Sequence, residues 1–380
     1  MDKPLNILLM GDTSNCHRTL ATGLRQLGQN VTVVSDGTQW MNTDRDIDIA
    51  RRWNNKLGGM ELWARLCLSV LPRLKDFDVV SLFSPNFLQL RPVFSRKAFD
   101  ILKAQNRSIF LTALATDTAF VEECLDPASQ LKYNEFRVFG RRGPYDISTP
   151  GAARDWTSGE LRKTCEKVYG NIDGAVSVLY EYNVSMSRVL PPEKVAYGGL
   201  PIDLKNIRML PKPEVPGCVN LFLGRHVARK AVKGTDILEE VAKRVISRHP
   251  GKCKLTIVEN RPYDEYLGLL KSAHLVLDQI YSYTPAMNAL LAMAYGIPVL
   301  SGGEPDFYDF IGEYDNRPII NASPEPGELI SILEDFVCHP ERIPDLWEKN
   351  RSFVEKHNDC ETVAARFLEF WNKRLKDTGK

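Results

Sequence analysis

The residues that decide the fold are LFLGRHVARKAVKGT at 221–235 and AMAYGIPVLSGGE at 292–304. The first begins as an apolar strand, continues through Gly224-Arg225 into a basic loop, and ends where a helix begins near Thr235. The second is the end of an almost wholly apolar helix, followed by a short strand and a glycine pair. Strands that alternate with helices predict a parallel sheet that binds a ligand at the carboxyl ends of its strands.

The loop after the first of these strands has the residue types that a diphosphate needs. Gly224 lets the backbone approach a ligand, Arg225 offers a bidentate guanidinium, and Lys233 offers a point charge. Gly234 precedes a helix whose first turn, from Thr235, has free N–H groups and the positive end of the helix dipole. A solvated basic loop is the alternative interpretation, and the spacing alone does not decide between the two.

The apolar helix predicted at 286–295 is expected to be buried, with its N-terminus directed at the strand ends. A polar loop, with Ser282 and Thr284, precedes it, and Gly302-Gly303 with Glu304 follow the next strand. Both loops therefore belong to the predicted ligand-binding edge of the sheet. A buried packing helix with ordinary turns is the alternative interpretation.

The same alternation extends over the whole chain of 380 residues, which is long enough for two α/β domains. Prolines are dense between 197 and 217, where we predict the interdomain linker. The segment at 136–156 is rich in Gly, Arg, Pro and Asp and is predicted to be a long irregular segment. The predicted strands are 6–10, 31–34, 79–83, 108–113, 175–178, 219–223, 254–258, 274–278 and 298–301, and the main predicted helices are 20–27, 235–247, 263–272 and 286–295.

The bulk composition excludes several classes of protein. Lys plus Arg (49) and Asp plus Glu (48) nearly cancel, so no overall field attracts nucleic acid. The sequence lacks an apolar run of the ~20 residues that span a bilayer. Its eight cysteines include no Cys-x-x-Cys pair, which predicts reduced thiols in a cytoplasmic protein and no metal site. A phosphate loop and a Gly-x-Gly-x-x-Gly fingerprint are both absent from the sequence, which disfavours nucleotidases and hydride-transfer enzymes.

Together, Gly224-Arg225, Lys233-Gly234 and the run AMAYGIPV at 292–299 resemble the donor-binding half of the family 4 glycosyltransferases. The resemblance covers roughly residues 219–312, and 354–371 resembles the family's last helix. It implies the α/β fold called GT-B, in which two Rossmann-like, doubly wound domains face each other across a cleft. The implied domains are 1–205 on the acceptor side and 206–354 on the donor side, with a helix at 355–380 that packs back onto the first domain.

The resemblance also implies the site residues. The family's pair of diphosphate-binding cations falls on Arg225 and Lys233, which are therefore the predicted catalytic residues of the second domain. The loop at 282–285 falls where the donor sugar binds, and 302–304 fall near the sugar and the phosphates. The predicted donor-binding residues are Gly11, Gly224, Gly234, Thr235, Ser282, Tyr283, Thr284, Gly302, Gly303 and Glu304.

The sequence departs from the family at its paired glutamates. The family usually has one Glu that faces the donor sugar and a second, eight positions later, that holds the ribose. Tyr283 and Leu291 occupy these positions here. Related starch- and glycogen-forming enzymes also lack the second Glu, but Tyr283 does not supply the charge of the first.

Three residues of the first domain are candidates for the acceptor side. By the resemblance, the loop after the first strand and the polar groups after the fourth approach the acceptor, which places His17, Thr116 and Asp117 there. Asp117 is the candidate for catalytic proton transfer. A helix cap or a solvated position is the alternative for His17 and for Asp117.

The leading hypothesis is a hexosyltransferase-type enzyme that transfers a sugar from a nucleotide diphosphate sugar to an acceptor with retention. It uses no metal and no cofactor beyond this co-substrate, and its acceptor is a glycan or a lipid-linked sugar. The expected location is the cytoplasm, and peripheral contact at the inner membrane face is left open. The candidate basic surface for such contact is Arg91, Arg96, Lys97, Arg141 and Arg142, for which a solvated face is the alternative interpretation. The alternatives are a non-catalytic domain that binds a sugar nucleotide or glycan, and a nucleotide-sugar epimerase.

Overall fold

The computed structural model of the chain describes residues 3–37, 42–225, 229–259, 261–377 and 379. Its strands are β1 (Asn6–Met10), β2 (Asn30–Ser35), β3 (Ile47–Asp48), β4 (Val79–Leu82), β5 (Ile109–Ala113), β6 (Arg137–Val138), β7 (Arg141–Arg142), β8 (Gly174–Ser177), β9 (Val195–Tyr197), β10 (Val219–Gly224), β11 (Cys253–Val258), β12 (Leu275–Leu277), β13 (Val299–Ser301) and β14 (Ile320–Asn321).

The helices alternate with these strands along most of the chain. They are α1 (Cys16–Gln26), α2 (Lys56–Arg65), α3 (Pro92–Gln105), α4 (Thr118–Leu125), α5 (Pro144–Ser148), α6 (Ala152–Thr157), α7 (Gly159–Tyr169), α8 (Tyr180–Val189), α9 (Lys230–Lys233), α10 (Thr235–Arg248), α11 (Tyr263–Leu270), α12 (Met287–Ala294), α13 (Pro305–Phe310), α14 (Pro326–Cys338), α15 (Arg342–His357) and α16 (Cys360–Asp377). None of the described helices is long and apolar enough to cross a bilayer.

The chain forms two compact units. The first consists of Met1–Glu123, Gly151–Asp203 and Cys360–Lys380, and the second of Cys124–Pro150 and Leu204–Asp359. The predicted boundary at 205/206 lies within a few residues of the observed division. The predicted assignment of Cys124–Pro150 to the first domain differs from the structure, which groups this segment with the second unit.

The first unit is built on a parallel sheet with the strand order β3-β2-β1-β4-β5-β8-β9. Its interior strand β1 is fully buried from Ile7 to Met10, as expected for a sheet covered by helices on both faces. Helix α16 packs closely on α1, because a Cβ atom at Gly23 of α1 would lie 2.0 Å from the carbonyl oxygen of Cys360. The last helix is therefore part of the core of this unit.

The second unit contains a parallel sheet with the order β11-β10-β12-β13-β14. Leu223 at the end of β10 pairs with Leu277 at the end of β12, and Leu277 pairs with Leu300 of β13. All neighbours in this sheet are parallel, so the carboxyl ends of β10, β12 and β13 lie along one edge. The predicted doubly wound arrangement is confirmed for both sheets.

The prediction of a long irregular segment at 136–156 is wrong. Strands β6 and β7 form a hairpin in which Val138 pairs with Arg141, and helices α5 and α6 follow. The two loop residues, Phe139 (φ 46°) and Gly140 (φ 80°), both have positive φ, as a two-residue type I′ hairpin turn requires. Strands of two residues are too short to show alternation, so the sequence pattern did not reveal them.

Candidate functional site

Arg225 follows β10 and is held by two carboxylates of the second unit. Its backbone N–H donates to the Val258 carbonyl oxygen at 3.0 Å, which continues the pairing of β10 with β11. Its guanidinium forms ion pairs with Glu259, just after β11, and with Glu239 of α10. The hydrogen bond that Arg225 donates to Glu259 raises the pKa of Arg225, and the one it donates to Glu239 adds to this, against burial, which lowers it. Arg225 is therefore a fixed, fully charged cation whose charge is balanced by protein groups.

Lys233 lies at the same edge of the sheet. Its Nζ atom is 3.2 Å from Asp278 Oδ1, just beyond β12, and its carbonyl oxygen accepts a hydrogen bond from the Ile280 N–H at 3.0 Å. Asp278 is fully buried and also accepts a 3.0 Å hydrogen bond from Ser301 of β13. Because β10, β12 and β13 are adjacent, the structure places Lys233 and Arg225 at the carboxyl edge of the same three strands.

Helix α10 begins at Thr235, two residues after Lys233. Gly234 immediately precedes it with φ 68°, and a Cβ atom there would lie 2.4 Å from Ile280, so this position needs glycine. Thr235 is 1% exposed, and its buried Oγ1 has no hydrogen-bond partner among the residues that the structure describes. An unpaired buried hydroxyl beside the free N–H groups of a helix N-terminus is a candidate donor for an anion.

Gly224 is close to a protein side chain. An added Cβ would lie 2.7 Å from the hydroxyl oxygen of Tyr266, whose ring packs edge-on against Phe222. The Tyr266 hydroxyl donates in turn to Asn288 in the first turn of α12. Gly224 was predicted to let a ligand approach the backbone closely. In the structure the group that approaches the backbone at Gly224 is the Tyr266 side chain.

Tyr283, where the resemblance expects a sugar-facing Glu, is completely buried. Its hydroxyl accepts a hydrogen bond from the backbone N–H of Lys132 at 2.6 Å, and its ring packs on Tyr133 with the ring centroids 5.0 Å apart. Both partners belong to the Cys124–Pro150 segment of the same unit. Lys132 and Tyr133 were not predicted, because no local sequence pattern indicates a contact between residues 151 positions apart.

Glu304 is connected to the same segment. Its Oε1 accepts hydrogen bonds from the Tyr133 hydroxyl at 2.6 Å and from Asn321 Nδ2 at 2.5 Å. Its backbone N–H donates to the Tyr283 carbonyl oxygen at 3.3 Å. The structure therefore joins Tyr283, Glu304 and Tyr133 in one cluster, hereafter the tyrosine cluster.

The two predicted donor loops pack directly on each other. A Cβ atom at Gly302 would lie 2.4 Å from the Ser282 carbonyl oxygen and 2.7 Å from the Thr284 backbone nitrogen. Gly303 donates its N–H to Asn321 at 3.0 Å. Glycine is needed at 302 for this backbone contact, and a Cβ atom at Gly303 would lie 2.8 Å from Ile319. The loop at 302–304 therefore lies against the loop at 282–284.

The chain is similar in structure to several solved glycosyltransferases. S. aureus TarM, solved with UDP, fondaparinux and α-GlcNAc-glycerol, is 12% identical with a TM-score of 0.54 over 82% of this chain, which spans 58% of the TarM chain. Anabaena HepE, solved with UDP and glucose, is 12% identical with a TM-score of 0.60 over 97% of this chain and 100% of its own. Sucrose-phosphate synthase from Thermosynechococcus elongatus is 12% identical, with a TM-score of 0.60, over 98% and 100%. The chain has the GT-B fold.

The chain matches these glycosyltransferases in structure and not by sequence. No protein-family model matches the sequence, and no curated protein matches it. The structural matches, at 12% identity, establish the fold alone, and membership of family 4 stays a prediction.

In the first unit of this GT-B chain, His17 is a buried structural link. Its Nδ1 lies 2.7 Å from the Gly11 carbonyl oxygen, which only accepts, so Nδ1 carries the proton. Its Nε2 then accepts from Thr112 Oγ1 at 2.9 Å, and Thr112 accepts from Ser81 at 2.8 Å. Burial lowers the pKa of His17 to about 4, so the ring is neutral at pH 7. No contact described here supports the predicted acceptor role of His17.

Gly11 and Asp12 hold the loop that precedes His17. Gly11 has φ 78°, and a Cβ atom there would lie 2.1 Å from the ring of Phe83. Asp12 accepts hydrogen bonds from the backbone N–H groups of His17 and Arg18 and so caps α1. Burial raises the pKa of Asp12 to about 7, against the lowering effect of these amides.

Asp117 caps helix α4. Its Oδ1 accepts the backbone N–H of Phe120 at 2.9 Å, and the residue is 1% exposed. Burial raises the pKa of Asp117 to about 6, while the amides of Phe120 and Ala119 and the Tyr169 hydroxyl lower it. The neighbouring Thr116 is half-buried. The capping alternative accounts for the contacts of Asp117, and its catalytic role stays a prediction.

Proposed function

We propose that this GT-B protein transfers a sugar from a nucleotide diphosphate sugar to an acceptor, and that Arg225 and Lys233 bind the diphosphate. The observation that carries the proposal is the position of both cations at the carboxyl ends of adjacent strands of one sheet. The N-terminus of α10, with the unpaired hydroxyl of Thr235, follows Lys233 directly. A diphosphate needs this combination of fixed cations and N–H donors.

The two cations differ in how tightly their carboxylate partners hold them, and from this difference we infer how the diphosphate binds. Arg225 is held by Glu239 and Glu259, so it is positioned before the ligand arrives and loses little conformational entropy on binding. Lys233 has the looser pair, at 3.2 Å, and its side chain is 23% exposed. We propose that the diphosphate exchanges the Lys233–Asp278 pair for a Lys233–phosphate pair and contacts Arg225 in place.

The chemical step follows from these positions. Negative charge grows on the diphosphate as its bond to the sugar breaks, and cations already in place stabilise that charge more than they stabilise the ground state. Arg225, Lys233 and the first turn of α10 supply the positive charge, so the proposal needs no metal ion. In the proposed reaction the acceptor hydroxyl oxygen bonds to the anomeric carbon as the bond to the diphosphate breaks, and the acceptor's proton leaves with the diphosphate. Retention at the anomeric carbon is carried over from the resemblance.

Glu304 is the proposed sugar-binding carboxylate. Tyr283 occupies the position of the family's sugar-facing Glu, and Glu304 supplies a carboxylate in the same tyrosine cluster. A carboxylate that accepts from the Tyr133 hydroxyl has the chemistry to accept from a sugar hydroxyl. We propose that the donor sugar donates a hydroxyl to Glu304.

Steady-state hydrolysis of UDP-glucose tests the diphosphate site. UDP is the first nucleotide to use, because TarM and HepE were solved with it. Arg225→Ala and Lys233→Ala are each expected to lower kcat/KM by about 100-fold, which corresponds to ~2.7 kcal/mol of transition-state stabilisation. Arg244→Ala is the control, because Arg244 is an exposed cation of α10 that pairs with Glu240. Activity near wild type in both site variants would rule out the proposed roles.

A non-catalytic domain that binds a sugar nucleotide is the second candidate. It is favoured by one observation, namely that Tyr283 and Glu304 are both hydrogen-bonded to the Cys124–Pro150 segment. Calorimetric binding of UDP-glucose with no release of glucose, across a panel of acceptors, would support this candidate against the enzyme. The acceptor is proposed to be a glycan or a lipid-linked sugar, and the location the cytoplasm.

A further inference from the structure

The eight cysteines of the chain differ in exposure. Cys67, Cys218 and Cys338 are half-buried, and the other five are buried. A thiol reacts in its thiolate form, so it needs access to solvent and a neighbouring group that takes its proton. In the described part of the chain, Cys338 is the half-buried cysteine whose thiol contacts a histidine ring. Cys338 therefore meets both conditions.

This contact lies where two helices of the second unit end. Helix α14 ends at Cys338 and packs on α10, which His249 directly follows. The Cys338 Sγ atom is 3.7 Å from His249 Nδ1, a hydrogen-bond distance for sulfur. The other ring nitrogen, His249 Nε2, is 3.4 Å from Oε1 of Glu334, which lies one helical turn before Cys338. A nucleophile, a base and a carboxylate that orients the base are thus connected in series.

Glu334 determines which nitrogen of His249 carries a proton. Arg248 lies 3.1 Å from the same carboxyl oxygen, and its hydrogen bond lowers the pKa of Glu334 below the ordinary 4.5, with His249 adding to this effect against partial burial. Glu334 is therefore a carboxylate at pH 7, which only accepts hydrogen bonds. His249 Nε2 then carries the proton, and the lone pair of Nδ1 faces the Cys338 thiol.

The ends of the two helices act on the thiol and on the imidazole in opposite directions. Cys338 is the last residue of α14, where the negative end of the helix dipole disfavours a thiolate. His249 follows the last residue of α10, where the same end of the dipole favours a protonated imidazole. Transfer of the thiol proton to His249 places the positive charge where α10 stabilises it and beside the thiolate. Formation of the Cys338 thiolate therefore depends on His249.

Cys253, the first residue of β11, is a neighbouring thiol without such a base. Burial raises the pKa of Cys253 to about 11, and the nearby Cys218 and Cys338 add to this. Cys253 is also 5% exposed, so it stays protonated and is closed to reagents. No three His, Cys, Asp or Glu side chains of the described ranges are grouped so as to hold a metal ion. Of these neighbouring thiols, Cys338 is the one that combines access with a base.

We propose that Cys338 is a modification site for low-molecular-weight disulfides. Its sulfur attacks one sulfur of the disulfide as its proton passes to His249 Nδ1, and the sulfur–sulfur bond of the reagent breaks. The released half leaves as a thiolate and takes the proton from His249. Cys338 is thereby oxidised to a mixed disulfide, and one half of the reagent is reduced to a thiol. The proposal does not depend on the proposed sugar transfer.

Reaction of the full chain with glutathione disulfide, followed by peptide mass spectrometry, tests the proposal. At pH 7 Cys338 is expected to form its adduct about tenfold faster than Cys67, since a base accelerates a thiol that is mostly protonated. Cys67 is the matched control in the same molecule, because it is half-buried and has no hydrogen bond to a histidine of the described ranges. His249→Gln is expected to lower the Cys338 rate about tenfold, and Glu334→Gln about threefold, with the Cys67 rate unchanged.

A second pH separates the loss of the base from a change in access to the thiol. At pH 9.5 a thiol with a pKa of about 8.5 is mostly deprotonated without help, so His249→Gln and the wild type should react at equal rates. A Cys338 rate no higher than the Cys67 rate at pH 7 would overturn the proposal. A deficit of His249→Gln that persists at pH 9.5 would overturn it as well, because His249 would then control access and not the proton.

Discussion

Tyr133 donates its hydroxyl to Glu304 at 2.6 Å, although the two residues are 171 positions apart in the sequence. The contact links a hairpin segment that follows α4 to the loop that follows β13. The same hairpin segment contacts Tyr283 through Lys132 and through the Tyr133 ring. Both positions that the resemblance assigns to the donor sugar are therefore in contact with one short segment, and that segment is where we expect sugar preference to be set.

Tyr133→Phe is expected to raise the affinity for UDP-glucose several-fold and to leave that for UDP unchanged. The substitution removes a hydroxyl that would compete with the sugar for Glu304 and keeps the ring contact with Tyr283. Calorimetric titration with both ligands measures the difference. Tyr145→Phe is the matched control, because it removes a phenol hydroxyl from the same segment that has no hydrogen bond to a described residue. An equal change for UDP and UDP-glucose would show that Tyr133 acts on the fold and not on the sugar.

Asp278→Asn is expected to tighten UDP binding by about three- to tenfold, on the order of 1 kcal/mol. The substitution removes the negative charge 3.2 Å from Lys233 and preserves a side chain that can hydrogen-bond Ser301. The expected gain is largest at low salt, because it is electrostatic. Titrations at two salt concentrations measure it. Weaker binding of UDP to the variant would mean that Asp278 positions Lys233 instead of competing for it.

Thr235→Val is expected to weaken the binding of UDP without lowering the stability of the unliganded protein. The Thr235 hydroxyl is buried without a partner in the described part of the chain, so its removal is expected to leave the unliganded protein as stable or about 1 kcal/mol more stable. The increase in Tm that UDP produces should shrink, because the hydroxyl no longer donates to the phosphate. Thermal unfolding with and without UDP gives both quantities. A large loss of stability without UDP would indicate that Thr235 is bonded within the protein.

Glu313 is expected to make the second unit sensitive to acid. Burial raises its pKa, but hydrogen bonds from Lys356, from His357 and from two backbone amides outweigh this and bring the pKa to about 2, below the ordinary 4.5. A depressed carboxylate pKa stabilises the folded state above pH 4.5, and this contribution is lost as the pH falls towards 2.

Glu313→Gln should therefore lower the free energy of unfolding at pH 7 by about 1–3 kcal/mol, and by less at pH 3. Urea unfolding at both values measures this. Glu348→Gln on α15, an exposed position, is the control. A loss of stability that does not depend on pH would place the effect in packing and not in the charge of Glu313.

The sequence predicted those strands and helices that a local pattern of apolar residues marks. Strand β1 has the predicted bounds, 6–10, and α12 lies within the predicted apolar helix, because burial on all sides leaves a nearly continuous apolar signal. Strand β14 was missed because two residues are too short to form a pattern. The positions of Arg225 and Lys233 at the sheet edge followed from strand order, but their carboxylate partners did not. Glu259 follows a predicted strand and Asp278 is the last residue of another, and a search for acids at the ends of strands would have found them.

Each unit is made of separate segments of the chain, and this affects how the protein folds during its synthesis. The chain passes between the units at 123/124, 150/151, 203/204 and 359/360, so neither unit is a contiguous piece of sequence. The face of α1 around Gly23 is completed only by α16, and translation of the residues between them takes roughly 20–70 s at 5–20 residues per second. During that time the face of α1 around Gly23 lacks its native cover. We expect nascent chains that stop before Cys360 to need a chaperone, and the first unit to become protease-resistant only after α16 has left the ribosome.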